Sequence, residues 1–148
     1  MIVPDTSGWT RVGETSNVDY FSIEPGLLAM VPHQGGIDGR ETAQANSRFV
    51  NEYGRRAGRP IVLVSYFDGT ASLDSAARKV YNDEADPTNV CGAALIGGSM
   101  LGRAIANVFL ALVKPKGMVF RVFGNSSEAL AWARRLYAAQ HPDERASA

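Results

Sequence analysis

A single cysteine in 148 residues excludes an intrachain disulfide and any metal site built from several thiolates. That residue, Cys91, lies in the apolar run Val90-Cys-Gly-Ala-Ala-Leu-Ile96, where a free thiol reads as a small buried hydrophobe. Histidine is almost as scarce. His33 and His141 have no carboxylate or second ligand at helical or hairpin spacing, so no metal site is expected. Net charge is missing as well: fifteen basic residues balance fifteen acidic ones, which leaves no field to gather nucleic acid or an anionic membrane. Arg55, Arg56 and Arg59 do cluster, but where a helix should end, and cations there complement the helix dipole. The longest apolar stretch, near Ala104 to Val113, is interrupted by Asn107 and is too short to cross a bilayer. Met1 to Ser7 shows no charged region followed by an apolar one, so a cytoplasmic location is expected.

What is present is a 45% hydrophobic composition, enough for one continuous core. Residues 1–17 carry Pro4, Gly8 and Gly13 without sustained periodicity and read as a loosely attached N-terminal arm, with Trp9 as its pin. Two apolar runs, Val18 to Glu24 and Leu27 to Pro32, flank Pro25-Gly26 and predict a β-hairpin. Asp38 and Glu41 suit a capping box for a helix that turns Ala45, Phe49 and Tyr53 to one side, then stops at Gly58 and Pro60. Ile61-Val-Leu-Val-Ser-Tyr-Phe67 is a β-rich run, apolar but for Ser65, the pattern of a strand covered on both faces. A second helix follows, with Leu73, Ala76, Ala77 and Val80 at helical spacing. Next come a strand over Val90 to Ile96, a third helix after Gly97-Gly98-Ser99, a strand over Met118 to Phe123, and a last helix capped by Asn125-Ser-Ser-Glu128. The order β-β-α-β-α-β-α-β-α calls for a mixed, largely parallel β-sheet with four helices in one α/β domain over 18–140. Residues 141–148 read as a disordered tail.

This element order, with the Asp74-Ser75 pair opening the second helix, resembles the STAS fold of anti-sigma factor antagonists. The closer likeness is to the uncharacterised bacterial STAS/SEC14-like subgroup. It is carried by Ala77-Arg78 with Tyr81, by Arg103-x-x-x-Asn107-x-Phe109-Leu110-x-x-x-Lys114-Pro115, and by Arg121-x-Phe123 followed by Glu128-Ala-Leu-Ala-Trp132. In the antagonist branch a serine directly after Asp-Ser is phosphorylated by a partner kinase. Here that place holds Ala76, so the resemblance implies that the switch is absent. Ser72, Asp74, Ser75 and Arg78 are left as the candidates for partner binding or modification.

Gly97, Gly98, Ser99 and Arg103 are candidates for a ligand-holding loop, because a glycine-rich turn between strand and helix can cradle an anion with backbone amides. Arg103 and Ala104 stand where the phosphate-binding P-loop has its lysine and hydroxyl, so nucleotide hydrolysis is not expected. A nucleophilic set drawn from Ser65 or Ser99, His33 and Asp68 lacks the Gly-x-Ser-x-Gly elbow. The acidic run Asp83, Glu84, Asp86 reads as a solvated loop. On the third helix, turning Leu101, Ile105, Val108 and Leu112 to the sheet leaves Ala106, Leu110 and Val113 as a second apolar stripe, which predicts a homodimer surface.

No cofactor and no catalytic set are expected. Two functional readings stand: a non-enzymatic regulatory or protein-interaction module of STAS type that senses a small ligand, or a lipid or apolar small-molecule binder of SEC14-like type.

Overall fold

The structure is a computed structural model and describes residues 1–140; the expected tail lies outside the described residues. Its elements run β1 (Thr10–Glu14), β2 (Val18–Glu24), β3 (Leu27–Pro32), β4 (Gly36–Asp38), α1 (Arg40–Ala57), β5 (Ile61–Tyr66), β6 (Thr70–Leu73), α2 (Ser75–Asp83), β7 (Val90–Ile96), α3 (Met100–Leu112), β8 (Val119–Phe123) and α4 (Ser126–Gln140). All nine expected elements are present in the expected order, and β1, β4 and β6 are additional.

Six strands form one sheet in the order β1-β2-β3-β5-β7-β8. The pairs β1–β2 and β2–β3 are antiparallel, whereas β3–β5, β5–β7 and β7–β8 are parallel. The sheet is therefore mixed, as the hairpin followed by strand-helix alternation requires. Alternate residues of the central strands enter two cores. Ile61, Leu63, Ala93 and Leu95 pack with Val50 of α1 and Ala106 and Phe109 of α3. Val62, Val64, Ala94 and Ile96 pack with Ala129 and Ala133 of α4. Along β7 this parity slips once, because the pairing jumps from Ile61 opposite Val90 to Val62 opposite Gly92. A side chain at Gly92 would strike the Val119 carbonyl at 2.4 Å and Leu136 at 2.7 Å, so glycine is what lets α4 and β8 close over the bulge.

The N-terminal segment is not a loose arm. Thr10–Glu14 pairs with β2 as an edge strand, and the Trp9 ring lies 6.2 Å from Phe21 and 6.4 Å from Tyr66. An exposed edge strand needs no apolar alternation to pair, so periodicity misses it. The short strands β4 and β6 form a separate parallel pair that ties the entry of α1 to the entry of α2.

Two helices differ in orientation from the sequence reading. On α1 the buried positions are Ala43, Asn46, Ser47, Val50 and Gly54, with Phe49 only partly buried against Tyr20 at 3.9 Å between ring centroids. The cap sits one residue later than Asp38: Gly39 is the N-cap and its amide donates to the Thr42 hydroxyl at 2.8 Å. On α3 the two apolar stripes are exchanged. Gly102, Ala106, Phe109 and Val113 face the sheet, while Met100, Leu101, Val108 and Leu112 are exposed. Ala106 and Val113 are thus fully buried and Leu110 packs against the same core, so these three do not form a dimer surface. A helix apolar on two sides gives periodicity nothing to choose by; here the small residues Gly102 and Ala106 win the inner position because they allow close approach, and Phe109 fills the remaining space against Phe67, Tyr81 and Phe120.

Candidate functional site

The loop between β7 and α3 is already occupied by the protein itself. Asp68, at the end of β5 and only 3% exposed, accepts hydrogen bonds from the amides of Ile2 at 2.6 Å, Gly98 at 2.9 Å and Ser99 at 2.9 Å, and from the Ser99 hydroxyl. Burial draws its carboxyl upward, but the bonds from Ser99, Ile2 and Gly98 outweigh it and hold the group below the usual carboxylate range. Ser99 also caps α3 by accepting from the Gly102 amide. Arg103 folds back on the Gly97 carbonyl at 3.3 Å. The residues expected to cradle a ligand anion, Gly97, Gly98, Ser99 and Arg103, are therefore brought together around an internal carboxylate. A negative charge at a helix N-terminus is what this geometry favours, and the chain supplies it.

The expected partner site is coherent but small. Ser72 lies in β6, Asp74 caps α2 by accepting from the Ala77 amide at 2.9 Å, and Ser75 is the first helical residue. All three are exposed. Arg78 is directed inward, its guanidinium donating to the Leu73 carbonyl at 2.9 Å. Ala76 is exposed too, so the second helix turns Ala77 and Val80, without Ala76, to the core.

A pocket of about 110 Å³ lies between the sheet and helices α1, α2 and α3. Its walls are largely apolar, with Val50, Leu63, Leu95 and Phe109 among them, and Asp38, Asn46 and Tyr81 make a polar patch in the lining. This patch is a connected hydrogen-bond network. Tyr81 and Thr42 donate their hydroxyls to the two oxygens of Asp38. The Asn46 amide nitrogen donates to Tyr81 at 3.2 Å and to Asn17 at 3.0 Å, and its oxygen accepts from Tyr20 at 2.8 Å and Thr15 at 2.7 Å. Among the described residues no buried side-chain polar atom lacks a partner. Burial raises the Asp38 carboxyl, against the opposing pull of Thr42, Tyr81 and Asn17, and pushes the Tyr81 phenol well above its ordinary value.

Sequence reading misses this site in part. Asp38 is assigned there to a helix cap and Tyr81 only to the family resemblance, while Asn46 is passed over. The available signal was a polar residue, Asn46, set among Ala43, Ser47 and Val50 on the inner side of an amphipathic helix. Such a residue must find partners inside.

A second juxtaposition was also unexpected. His33 Nε2 lies 3.1 Å from Asp19 Oδ1, and Glu14 completes a trio of donor groups within 4.8 Å. Hairpin register across β1, β2 and β3 makes neighbours of residues that no sequence spacing connects. Arg11 bridges both carboxylates, at 3.0 Å to Asp19 and 3.1 Å to Glu14.

No helix among the described residues is long and apolar enough to cross a membrane. No protein-family model matches the chain, and no curated protein matches it. Among solved structures, the chain is similar to an uncharacterized protein from the DUF3478 family with a SpoIIAA-like fold from Shewanella loihica PV-4. The sequences are 14% identical, the match covers 90% of this chain and 99% of that one, and the TM-score is 0.50. With the mixed six-stranded sheet and four helices in the order described, the fold of this chain is SpoIIAA-like, the STAS fold of anti-sigma factor antagonists.

Proposed function

We propose that the chain is a non-enzymatic STAS-type regulatory module that senses a small, largely apolar molecule held in the pocket between the sheet and α1, α2 and α3. The observation that carries this reading is the pocket itself, with apolar walls and one fixed polar patch, the usual make-up of a small-molecule site.

Native mass spectrometry of the full chain tests the proposal. The expected result is a complex with added propan-1-ol that is lost in Ala93→Leu, a substitution that extends a buried wall residue into the space. An apo mass only, with no shift of the pocket residues in NMR titration, overturns it. The exposed Ser72, Asp74 and Ser75 support a surface through which a protein partner reads the occupied state, since Asp74 donates its amide to the carbonyl of the pocket residue Asp38 at 3.0 Å. Hydrogen exchange over residues 70–78 that is unchanged by an occupant contradicts that link. For self-association, the exposed stripe of Met100, Leu101, Val108 and Leu112 replaces the surface expected from sequence, and sedimentation of Leu101→Glu against the native chain checks it.

A further inference from the structure

The charged side chains lining the pocket share one sign. They are Asp38, Glu84 and Asp86, and among the described lining residues none is lysine, arginine or histidine. Asp38 is 7% exposed, and the hydroxyls of Thr42 and Tyr81 that donate to its carboxylate are neutral. Asp74 acts on it with a charge of like sign. Asp38 is thus a buried carboxylate held by hydroxyl groups, and among the described residues it has no ion-pair partner. A carboxylate has about four lone-pair positions, so these donors leave room for another.

Three head groups differ sharply at such a site. A carboxylate adds a second anion to a buried one and is repelled. An alcohol can hydrogen-bond but gains little from the charge. An ammonium supplies the missing opposite charge where solvent screening is weak and donates directly to the remaining oxygen position. Aromatic walls reinforce that preference: the rings of Tyr81 and Phe67 each lie 5.8 Å from the ring of Phe109, and ring faces attract cations. The volume, about 110 Å³, is below the ~150 Å³ that admits benzene, which limits the hydrocarbon part to a short chain.

Building on the small-molecule reading above, we infer that the pocket selects a small apolar primary amine, its ammonium on Asp38 and its hydrocarbon against Leu63, Leu95 and Phe109.

The test uses propylamine, propan-1-ol and butanoate, which share one propyl tail, titrated into the full chain at neutral pH and followed by NMR shifts of the pocket residues. Propylamine is expected to bind about tenfold or more tightly than propan-1-ol, with butanoate weakest, as the Coulomb ordering requires. Asp38→Asn is expected to remove the amine preference, so that amine and alcohol bind alike. Equal or tighter binding of propan-1-ol or butanoate to the native chain overturns the amine inference and leaves the pocket reading intact. No binding of any of the three overturns both. Should Asp38→Asn fail to fold by circular dichroism, Ala93→Leu decides: amine shifts that persist in it place the amine on Glu84 and Asp86 at the rim, away from Asp38, and overturn the inference.

Discussion

Replacing Asp68 by asparagine isolates the bond set that joins the N-terminal segment, the end of β5 and the start of α3. The carboxylate receives four donors from three residues, two on each oxygen: Ile2 and Gly98 on one, Ser99 amide and hydroxyl on the other. Asparagine keeps the shape and one acceptor oxygen, but its NH2 must face two donors wherever it points. The Ser99 hydroxyl can rotate away; a backbone amide cannot. Each buried donor left unpaired costs about 1–3 kcal/mol, and loss of the negative charge at the α3 N-terminus adds about 0.3–1 kcal/mol. The sum is roughly 3 kcal/mol, or ~6–12 °C in Tm for a domain of this size. Urea unfolding monitored by circular dichroism measures it. The folded carboxyl sits below its unfolded value, so its stabilisation is complete above the unfolded pKa, near 4, and is lost as pH falls through the lower folded pKa. The gap between native and Asp68→Asn proteins must therefore be widest at neutral pH and shrink in acid below that unfolded value. A loss under about 0.5 kcal/mol at neutral pH, or a gap that stays constant into acid, refutes the reasoning.

Three further outcomes follow from the packing. Phe109→Ala is expected to cost about 3–5 kcal/mol, because the ring is 9% exposed and meets Phe67, Tyr81 and Phe120; Leu112→Ala, 59% exposed, stays within about 0.5 kcal/mol, and paired urea titrations decide which stripe of α3 faces inward. Gly54→Ala should destabilise by about 1–3 kcal/mol in the same assay although alanine is the better helix former, because a Cβ there meets the Asn89 carbonyl at 2.2 Å. Cys91 is 3% exposed and burial raises its thiol to about 11, so Ellman's reagent at mildly alkaline pH should label it only after unfolding; rapid labelling of the native chain would contradict its placement.

The parts of the fold legible in sequence were those with a single burial solution. Ile61–Tyr66, apolar but for Ser65, and Val90–Ile96, apolar throughout, have no option but the centre of a sheet covered on both faces. The last helix announced its start through Asn125, which accepts from the Glu128 amide at 2.9 Å. Where two solutions were equally apolar, as on α3, only packing chose between them. Elements of three and four residues, β4 and β6, carry too few positions for any period to register. The site was harder still. Asp38, Asn46 and Tyr81 meet from three different elements, so their relation is a property of how α1 and α2 pack together. The glycine-rich loop was located correctly and its occupant was missed, since Asp68 lies 30 residues from Gly98 in the chain.

The two-stranded pair β4–β6 has a mechanical consequence. Asp38 ends one of its strands, and the Asp74 amide beside the other bonds back to the Asp38 carbonyl. Two of the three helices on that side of the sheet, α1 and α2, therefore share a single anchor plate at their first turns. Displacement of Asp38 is therefore expected to shift the starts of α1 and α2 together, whereas α4 packs on the far side of the sheet and has no bond to this plate.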